Sequence, residues 1–530
     1  MNPEILKTIR ERGLLLEKDI FDLLNGFNDA GFAKDLLEGL ERFSGQKIIT
    51  KSTITKNFEY VQNLVNKLPG ENKSLVEKTF VKLGLSFEIR KEKEIVDKAA
   101  ALENKISFQV DCFDTTVSKK LDVGDFVGSF RSRYQQIQRM LMNRPELQQG
   151  LVSINKISNN RHGLAIIGIV TEKRITKNRN MIIRFEDLTG EISGVVRAAN
   201  EETFKKAEEL QLDDVVGIKA SGNRDLLFVF DIFFPDSFVS QKTKFDEDVC
   251  VAFLSDVHAG GKAHLGKNME KFLEWTNSND ETATKIKYIF FNGDNVDGVG
   301  TFPGQEDSLV LKSMKEQYAL LASYLRKIPS HIKIFMCPGQ HDAVRVAEPQ
   351  PIIDKNYAPL LYEMDNLVLV TNPTMVKLLE KGKEFKILMY HGASIHSLIN
   401  GIPELREMKA HKTPAKAVKH MLKRRHLAPT HSTVTYIPNA DKDPLVISEV
   451  PDVLVTGEVH RLDIENYNGT LIITGSCWQS QTPFEEKVGN ETDPCKVPVL
   501  NLKTRELKIF DFSDKKEEEA SGELDGEEMQ

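Results

Sequence analysis

Five times between residues 250 and 460, an apolar run of strand length stops at a residue able to hold a metal. Val249–Leu254 leads into Asp256-Val-His258, and Ile286–Phe291 into Gly293-Asp294-Asn-Val-Asp297. Ile332–Cys337 leads into Pro-Gly-Gln340-His341-Asp342, Phe385–Tyr390 into His391-Gly392, and Val453–Val455 into Gly457-Glu458-Val-His460. Loops leaving the carboxyl ends of parallel strands in an α/β sheet converge on one crevice, so side chains far apart in sequence can meet there. Residues two apart in an extended chain face the same way, which puts Asp256 and His258 on one side. Gly293 lets the backbone turn tightly ahead of Asp294. Any one of these motifs alone is an ordinary surface turn. Five in order point to a site for two hard divalent cations sharing a carboxylate, the arrangement that cleaves phosphate esters.

The rest of the chain bounds this reading. At 530 residues it exceeds one ordinary core, and roughly two to four domains are expected. Hydrophobic residues at 40% and charged residues at 28% are those of a globular protein. No apolar stretch approaches the ~20 residues of a membrane helix. The first residues, Met1-Asn-Pro-Glu-Ile-Leu-Lys7, lack the basic-then-apolar order of a secretory signal. Five cysteines without a Cys-x-x-Cys pair fit a reducing compartment and argue against a zinc ribbon. A cytoplasmic, nucleoid-associated protein that makes no contact with membrane is therefore expected. The net charge of −7 is uneven: from Ser513 to Gln530, eight acids against two lysines carry −6. The remainder is near neutral, so a nucleic-acid partner would need a local basic surface.

Five segments are expected. Residues 1–70 read as a helical module, with Ile5, Leu6, Ile9 and Leu36, Leu37, Leu40 at helical spacing. Residues 71–149 read as linker, partly helical. In 150–245, strands at Gly163–Thr171, Met181–Phe185 and Ile192–Val196 precede a helix (Asn200–Leu210) and strands at Asp214–Lys219 and Leu227–Ile232. Three strands, a helix and two strands is the order of an OB-fold barrel, used for oligonucleotides or for plain protein docking. Residues 246–512 carry the five motifs, with helices at Met269–Thr276 and Leu309–Lys327. Residues 513–530 are an acidic, disordered tail.

The motifs resemble the calcineurin-like metallophosphoesterase superfamily, whose pattern is Asp-x-His, Gly-Asp-x-x-(Asp/His), Gly-Asn-His-(Asp/Glu), a lone His and Gly-His-x-His. The resemblance implies an α/β metallophosphoesterase sandwich that hydrolyses phosphate esters with two divalent ions. It implies that Asp256, His258, Asp294 and His460 hold one metal, and that Asp294, Gln340, His391 and Glu458 surround the other. His341, which holds no metal, and Asp297 would be the catalytic groups, with imidazole suited to proton transfer on the leaving oxygen near neutral pH. Two positions depart from the pattern: Gln340 stands for Asn and Glu458 for His, both on the second metal. Gln brings the same amide oxygen on a stem ~1.5 Å longer. Glu brings an anionic oxygen, so this site would favour Mn²⁺ or Mg²⁺ over softer ions. Either the two changes compensate each other or the site has decayed.

Further residues narrow the resemblance. Phe302-Pro-Gly-Gln-Glu306, Gly339-Gln-His-Asp-Ala-Val-Arg-Val-Ala-Glu-Pro-Gln-Pro351, Met421-Leu-Lys-Arg-Arg-His-Leu-Ala-Pro429, Val450-Pro-Asp-Val-Leu-Val-Thr-Gly457 and Gly475-Ser-Cys-Trp-Gln479 flank the ligands. With the upstream barrel, they are similar to the small subunits of archaeal family-D DNA polymerases, over about 150 to 512. That family implies a 3′→5′ exonuclease proofreading for a separate large catalytic subunit, acting on DNA with a 3′ end. Other replication proteins would dock on the N-terminal helices or tail. Arg345, Lys423, Arg424 and Arg425 are the candidate DNA contacts, with Lys416 and Lys419 on the same basic stretch. A plain solvated face, or docking of the large subunit, competes for that stretch. Trp478 either stacks on a base or belongs to the core. Two other functions stay open: a non-catalytic scaffold, as in eukaryotic small subunits that have lost their ligands, and a small-molecule phosphodiesterase. Six of the eight expected metal and catalytic positions are unchanged, which argues against full decay.

Overall fold

The computed structural model describes residues 106–514 except 114, 116–119, 160, 432 and 489–490, together with 9–17, 20–21, 24, 34, 37–42, 47–50, 53 and 93–94. Contacts divide the chain into two units, Met1–Lys91 and Glu92–Gln530. In the first, Leu15–Leu16 pairs in parallel with Ile48–Ile49, and Leu37 and Leu40 are fully buried. Most of the helical module expected over 1–70, and the tail from 515 onward, lie outside the described residues.

The second unit holds a mixed α/β sandwich and a small barrel. One sheet has six strands in the order Leu367–Leu369, Lys333–Cys337, Ile286–Asn292, Cys250–Leu254, Lys496–Asn501 and Leu507–Asp511, the first four mutually parallel. The other runs Asp463–Tyr467, Thr470–Thr474, Val453–Thr456, Lys383–Met389, Thr374–Glu380, Ser107–Cys112 and the short edge Lys93–Glu94. In this sheet Lys383–Met389, Val453–Thr456 and Thr470–Thr474 are parallel. The five motif-bearing runs therefore do not share one sheet: three end in the first and two in the second.

Strand periodicity explains the layering. Val251 and Phe253 point between the sheets, where they meet Phe290, Phe335, Ile387, Met389 and Val455. Cys250, Ala252 and Leu254 point outward onto the helices Gly266–Thr276 and Met314–Leu325, through Phe272, Leu273, Tyr318 and Leu321. Both faces are covered, so these strands read as continuous apolar runs. The rings of Phe253, Phe290 and Phe335 stack in succession, with centroids 5.5 and 4.9 Å apart. Burying each such ring is worth roughly 1.5–3 kcal/mol. On the far side Leu388, Leu454 and Ile472 pack on Val418, Met421 and Leu422 of the helix Ala415–Arg424. The result is four layers: helix, sheet, sheet, helix.

The barrel closes in the order Arg161–Ile175, Met181–Asp187, Gly190–Val196, Leu227–Phe233 and Val215–Gly222. Its strands lie where the sequence spacing puts them, around Ile166, Val170, Ile183, Phe185, Val196 and Ile218. Of residues 71–149, expected as a partly helical linker, those before 106 other than 93–94 lie outside the described residues, and the rest hold a strand as well as helix. Ser107–Cys112 pairs antiparallel with Thr374–Glu380 and sends Phe108, Val110 and Cys112 between the sheets. Its alternation (Ser-Phe-Gln-Val-Asp-Cys) is a strand pattern hidden in a polar, lysine-rich context. Val123–Met142 is a 20-residue helix opened by a reciprocal Asp122–Asp125 capping box. Its Tyr134, Ile137 and Leu141 pack on Ile167 and Val215 of the barrel.

Candidate metal centre

The strand ends bring the ligand candidates together from both sheets. The backbone there is strained. Asp256, His258, Asp294, Glu458 and His460 all have φ between 46° and 70°, the left-handed region that costs a non-glycine residue about 1–3 kcal/mol. The sandwich core on either side over-determines these turns. Close packing matches the strain: Gly293 has φ 88°, and a Cβ there would overlap His391 Nδ1. A Cβ at Gly339 would overlap Asp294 Oδ1.

Two groups of three side chains converge on Asp256. Asp256, His258 and His460 form one, and Asp256, Asp294 and His391 the other. Asp256 is thus the carboxylate common to both, whereas the family pattern implies sharing through Asp294. A third group, His258, Asp297 and His341, adjoins the first. In the first group the Nε2 atoms of His258 and His460 face each other at 3.2 Å, and His460 Nε2 lies 3.4 Å from Asp256 Oδ1. Their outer nitrogens are held by carboxylates: His258 Nδ1 lies 3.2 Å from Asp297 Oδ1, and His460 Nδ1 2.6 Å from Glu485 Oε1. Such partners fix a ligand imidazole with Nε2 inward. In the second group His391 Nε2 is 3.2 Å from Asp294 Oδ2 and 3.4 Å from Glu458 Oε2. Its Nδ1 donates to the Asn292 carbonyl at 2.9 Å, and its backbone N–H to Asn372 Oδ1 at 3.0 Å.

Two buried polar atoms, Asp256 Oδ2 and Gln340 Oε1, have no hydrogen-bond partner, and His391 Nε2 meets only the Asp294 and Glu458 carboxylates, at 3.2 and 3.4 Å. An orphaned buried polar atom costs about 1–3 kcal/mol. A carboxylate oxygen and an amide oxygen left unpaired, beside an imidazole nitrogen facing carboxylates, are donors that suit a hard divalent cation. The electrostatics agree. Burial alone would depress the His391 imidazole, but Asp294, with Asp256 and Glu458 behind it, raises it well above the ordinary histidine value. Burial likewise opposes the charge on His460, yet hydrogen bonds to Asp256 and Glu485 raise it to about 10. Burial pushes the Asp294 carboxyl up, but His391, His341 and His258 hold it well below the usual range. The cluster draws in positive charge, which protons supply here and a cation would supply in their place.

His341 sits beside the centre. Its backbone N–H donates to Asp294 Oδ1 at 2.9 Å, and its Nδ1–H to the Asp297 carbonyl at 2.6 Å. The other ring nitrogen, Nε2, is left for proton transfer, 3.9 Å from Asp294 Oδ2. Asp297 reaches His258 with its carboxylate and His341 with its carbonyl, so it orients two imidazoles at once. Asp342, the next residue after His341, is buried and ties the loop together. It accepts from Asn295 and Gly339 N–H groups and from the Tyr318 hydroxyl. Burial and then Asp294 raise its carboxyl to about 6.

The basic candidates are not brought to the centre. Arg424 is 3% exposed and donates through Nε to Asp214 Oδ1 at 2.9 Å, at the base of the barrel. Arg425, 8% exposed, donates to the carbonyls of Ile447 and Ser448. Lys423 pairs with Glu209 and lies over the Phe234 ring at 4.6 Å. Lys416 pairs with Glu465 at 3.0 Å, and Lys419 lies over the Tyr467 ring at 5.4 Å. Expected as DNA contacts, Lys423 and Arg424 instead tie the helix Ala415–Arg424 to Glu209 and Asp214 beside the barrel, and Arg425 holds the Ile447–Ser448 segment. Arg345 stands closer to the site, but all three of its nitrogens donate to carbonyls, those of Thr115, Ala347 and Pro349. Trp478 is fully buried 5.8 Å from Phe272, so it belongs to the core.

Sequence reasoning missed Glu485, because it lies in a short helix (Pro483–Val488) with no spacing relation to His460. Replacing Glu485 with Ala should weaken divalent-cation binding about 10- to 100-fold, read by Mn²⁺ titration. Glu485→Gln, which keeps an acceptor for Nδ1–H, should recover part of that loss. Unchanged affinity in both variants would remove Glu485 from the centre.

A family model described as the B subunit of DNA polymerase alpha/epsilon matches residues 251–462. Curated relatives described as DNA polymerase II small subunit are similar over most of the chain. The one from Methanothermobacter thermautotrophicus is 37% identical over 399 residues, covering 74% of this chain and 80% of its own. The one from Pyrococcus furiosus is 36% identical over 400 residues, 73% of this chain and 64% of its own. The one from Archaeoglobus fulgidus is 33% identical over 475 residues, 88% and 90%. Among solved structures, a protein described as a novel archaeal phosphodiesterase is 13% identical over 49% of this chain and 99% of its own. Its TM-score of 0.24 is too low to bear on fold or function.

Proposed function

The chain belongs to the family of archaeal DNA polymerase II small subunits, and from that premise we propose that it is a metal-dependent 3′→5′ exonuclease serving a large catalytic subunit. The observation that carries this reading is the pair of ligand groups sharing Asp256, with orphaned donors and His341 alongside. We read the closed barrel as an OB-fold and the two-sheet sandwich as a calcineurin-like metallophosphoesterase, over 150–245 and 246–512. The segments 1–70 and 513–530 would be a helical module and an acidic tail that recruit other replication proteins, and 71–149 a linker, partly helical.

In this reading Asp256 is shared: with His258 and His460 it would hold one cation, and with Asp294, His391, Gln340 and Glu458 the other, with Mn²⁺ or Mg²⁺ suited to the oxygen-rich second set. When bound, the two ions would activate water and offset charge on the phosphoryl oxygens of an in-line displacement. The chain's own residues do the rest. Asp297 and Glu485 fix the imidazoles of His258 and His460. His341, held through Nδ1, offers Nε2–H to the leaving 3′ oxygen of the preceding nucleotide.

One observation favours a second reading. Glu458 reaches His391 yet stands outside the groups of three. A weakened second site would make the chain a scaffold for the large subunit. A single experiment separates the two. Full-length protein should bind two equivalents of Mn²⁺ and shorten 5′-labelled single-stranded DNA stepwise. His341→Ala should keep both equivalents but cut the rate about 10²- to 10⁴-fold. One equivalent bound, and no shortening even with the large subunit present, would decide for the scaffold.

A further inference from the structure

We propose that the open cavity beside His341 is the berth for unpaired bases at the 3′ end of a single nucleic-acid strand, which stack on Phe302, Tyr357 and Tyr362. This rests on the nuclease reading above and names how its substrate is held. The cavity, of about 1000 Å³, counts Gln340, His341 and these three rings among its lining residues. It is thus continuous with the metal centre. Its volume is at the top of the roughly 300–1,000 Å³ that accommodates one small ligand, so it has room beyond a single small phosphodiester. The rings stay open to solvent, at 48%, 46% and 39%. Phe302 opens the Phe302–Glu306 extension that follows the Asp294 motif, a stretch the metal chemistry leaves without a task.

The charges on the wall say what kind of ligand fits. A site that tracks a nucleic-acid backbone needs a row of free cations. Here the Arg345 nitrogens are spent on three carbonyls, and Lys355 lies 5.7 Å from the Tyr362 ring, near Asp354. Flat apolar faces with few free cations suit the π-faces of bases rather than a run of phosphates. Paired bases are already stacked within a duplex and cannot offer those faces. The berth therefore selects a single strand, or an end frayed by a mismatch, and delivers its terminal phosphodiester toward His341.

The test uses the full chain with chelator present, so that the strand is bound but not cut. Binding of a short 5′-labelled oligothymidylate is followed by fluorescence anisotropy. Phe302→Ala, Tyr357→Ala and Tyr362→Ala should each weaken binding about fivefold or more. Tyr357→Phe and Phe302→Tyr, which keep the rings, should retain it. A strand whose last 3′ nucleotides lack bases should bind the unaltered protein as weakly as the triple alanine variant binds the intact strand. Equal affinity for intact and abasic ends would overturn the berth. So would a triple variant that keeps its affinity for the strand but no longer captures the large subunit, which would assign the cavity to that partner. A separate arm measures Mn²⁺-dependent hydrolysis of bis(p-nitrophenyl) phosphate by the unaltered protein. No hydrolysis there, with discrimination between intact and abasic ends preserved, would sink the nuclease reading and leave the berth standing.

Discussion

Replacing Asp256 with Asn should lower phosphodiester hydrolysis by about 10³-fold or more while leaving the protein folded. Asp256 is the one carboxylate that belongs to both ligand groups, and one of its oxygens is buried with no partner. Asparagine has the same shape and keeps an oxygen to accept the Glu458 N–H, now held at 3.2 Å. What is lost is one negative charge between two imidazole clusters. Removing it weakens the attraction for cations at both positions. Metal-ion stabilisation of a phosphoryl transition state is worth several kcal/mol, and each 1.36 kcal/mol is tenfold in rate. The measurement is hydrolysis of single-stranded DNA in saturating Mn²⁺, with Mn²⁺ stoichiometry determined alongside. A variant that still binds two equivalents and cuts within tenfold of the unaltered protein would take Asp256 out of its central position.

Arg424→Ala should cost about 3–5 kcal/mol of stability, because it strips the partner from a buried carboxylate. Arg424 and Asp214 are both nearly inaccessible, and Arg424 also lies over the Phe234 ring at 5.1 Å. The expected loss corresponds to a fall on the order of 10 °C in melting temperature. A double variant, Arg424→Met with Asp214→Leu, replaces the ion pair by apolar groups and should recover much of it. Below the melting range, DNA affinity and its salt dependence should match those of the unaltered protein. A variant that melts normally but shows a salt slope smaller by about one would restore Arg424 as a phosphate contact.

The basic stretch shows where sequence reading stops. Lys416, Lys419, Lys423, Arg424 and Arg425 look the same whether they face a nucleic acid or a second layer of protein. Only packing reveals that Glu209, Asp214, Phe234 and Asp236, from a segment some two hundred positions earlier, lie against them. Glu485 is a parallel case. A carboxylate that orients a ligand imidazole needs to be near in space and nothing more, so no spacing announces it. The strand Ser107–Cys112 escaped for a different reason: it is a short alternating element whose partner, Thr374–Glu380, lies far along the chain.

What the sequence by itself determined about this protein is which residue types stand at its strand ends. An apolar run buried on both faces has to be a central strand, and the residue just past it has to enter the crevice at that strand's end. Local order therefore puts Asp256, His258, Asp294, Gln340, His391, Glu458 and His460 at strand ends, whereas their roles as metal ligands are what the family resemblance implies. The tertiary structure decided everything that depends on two distant segments sharing a surface. It divided the five runs between two sheets, made Asp256 the common carboxylate, turned Arg424 inward and opened a cavity beside His341. Side-chain type follows from local sequence, whereas adjacency follows from how layers pack.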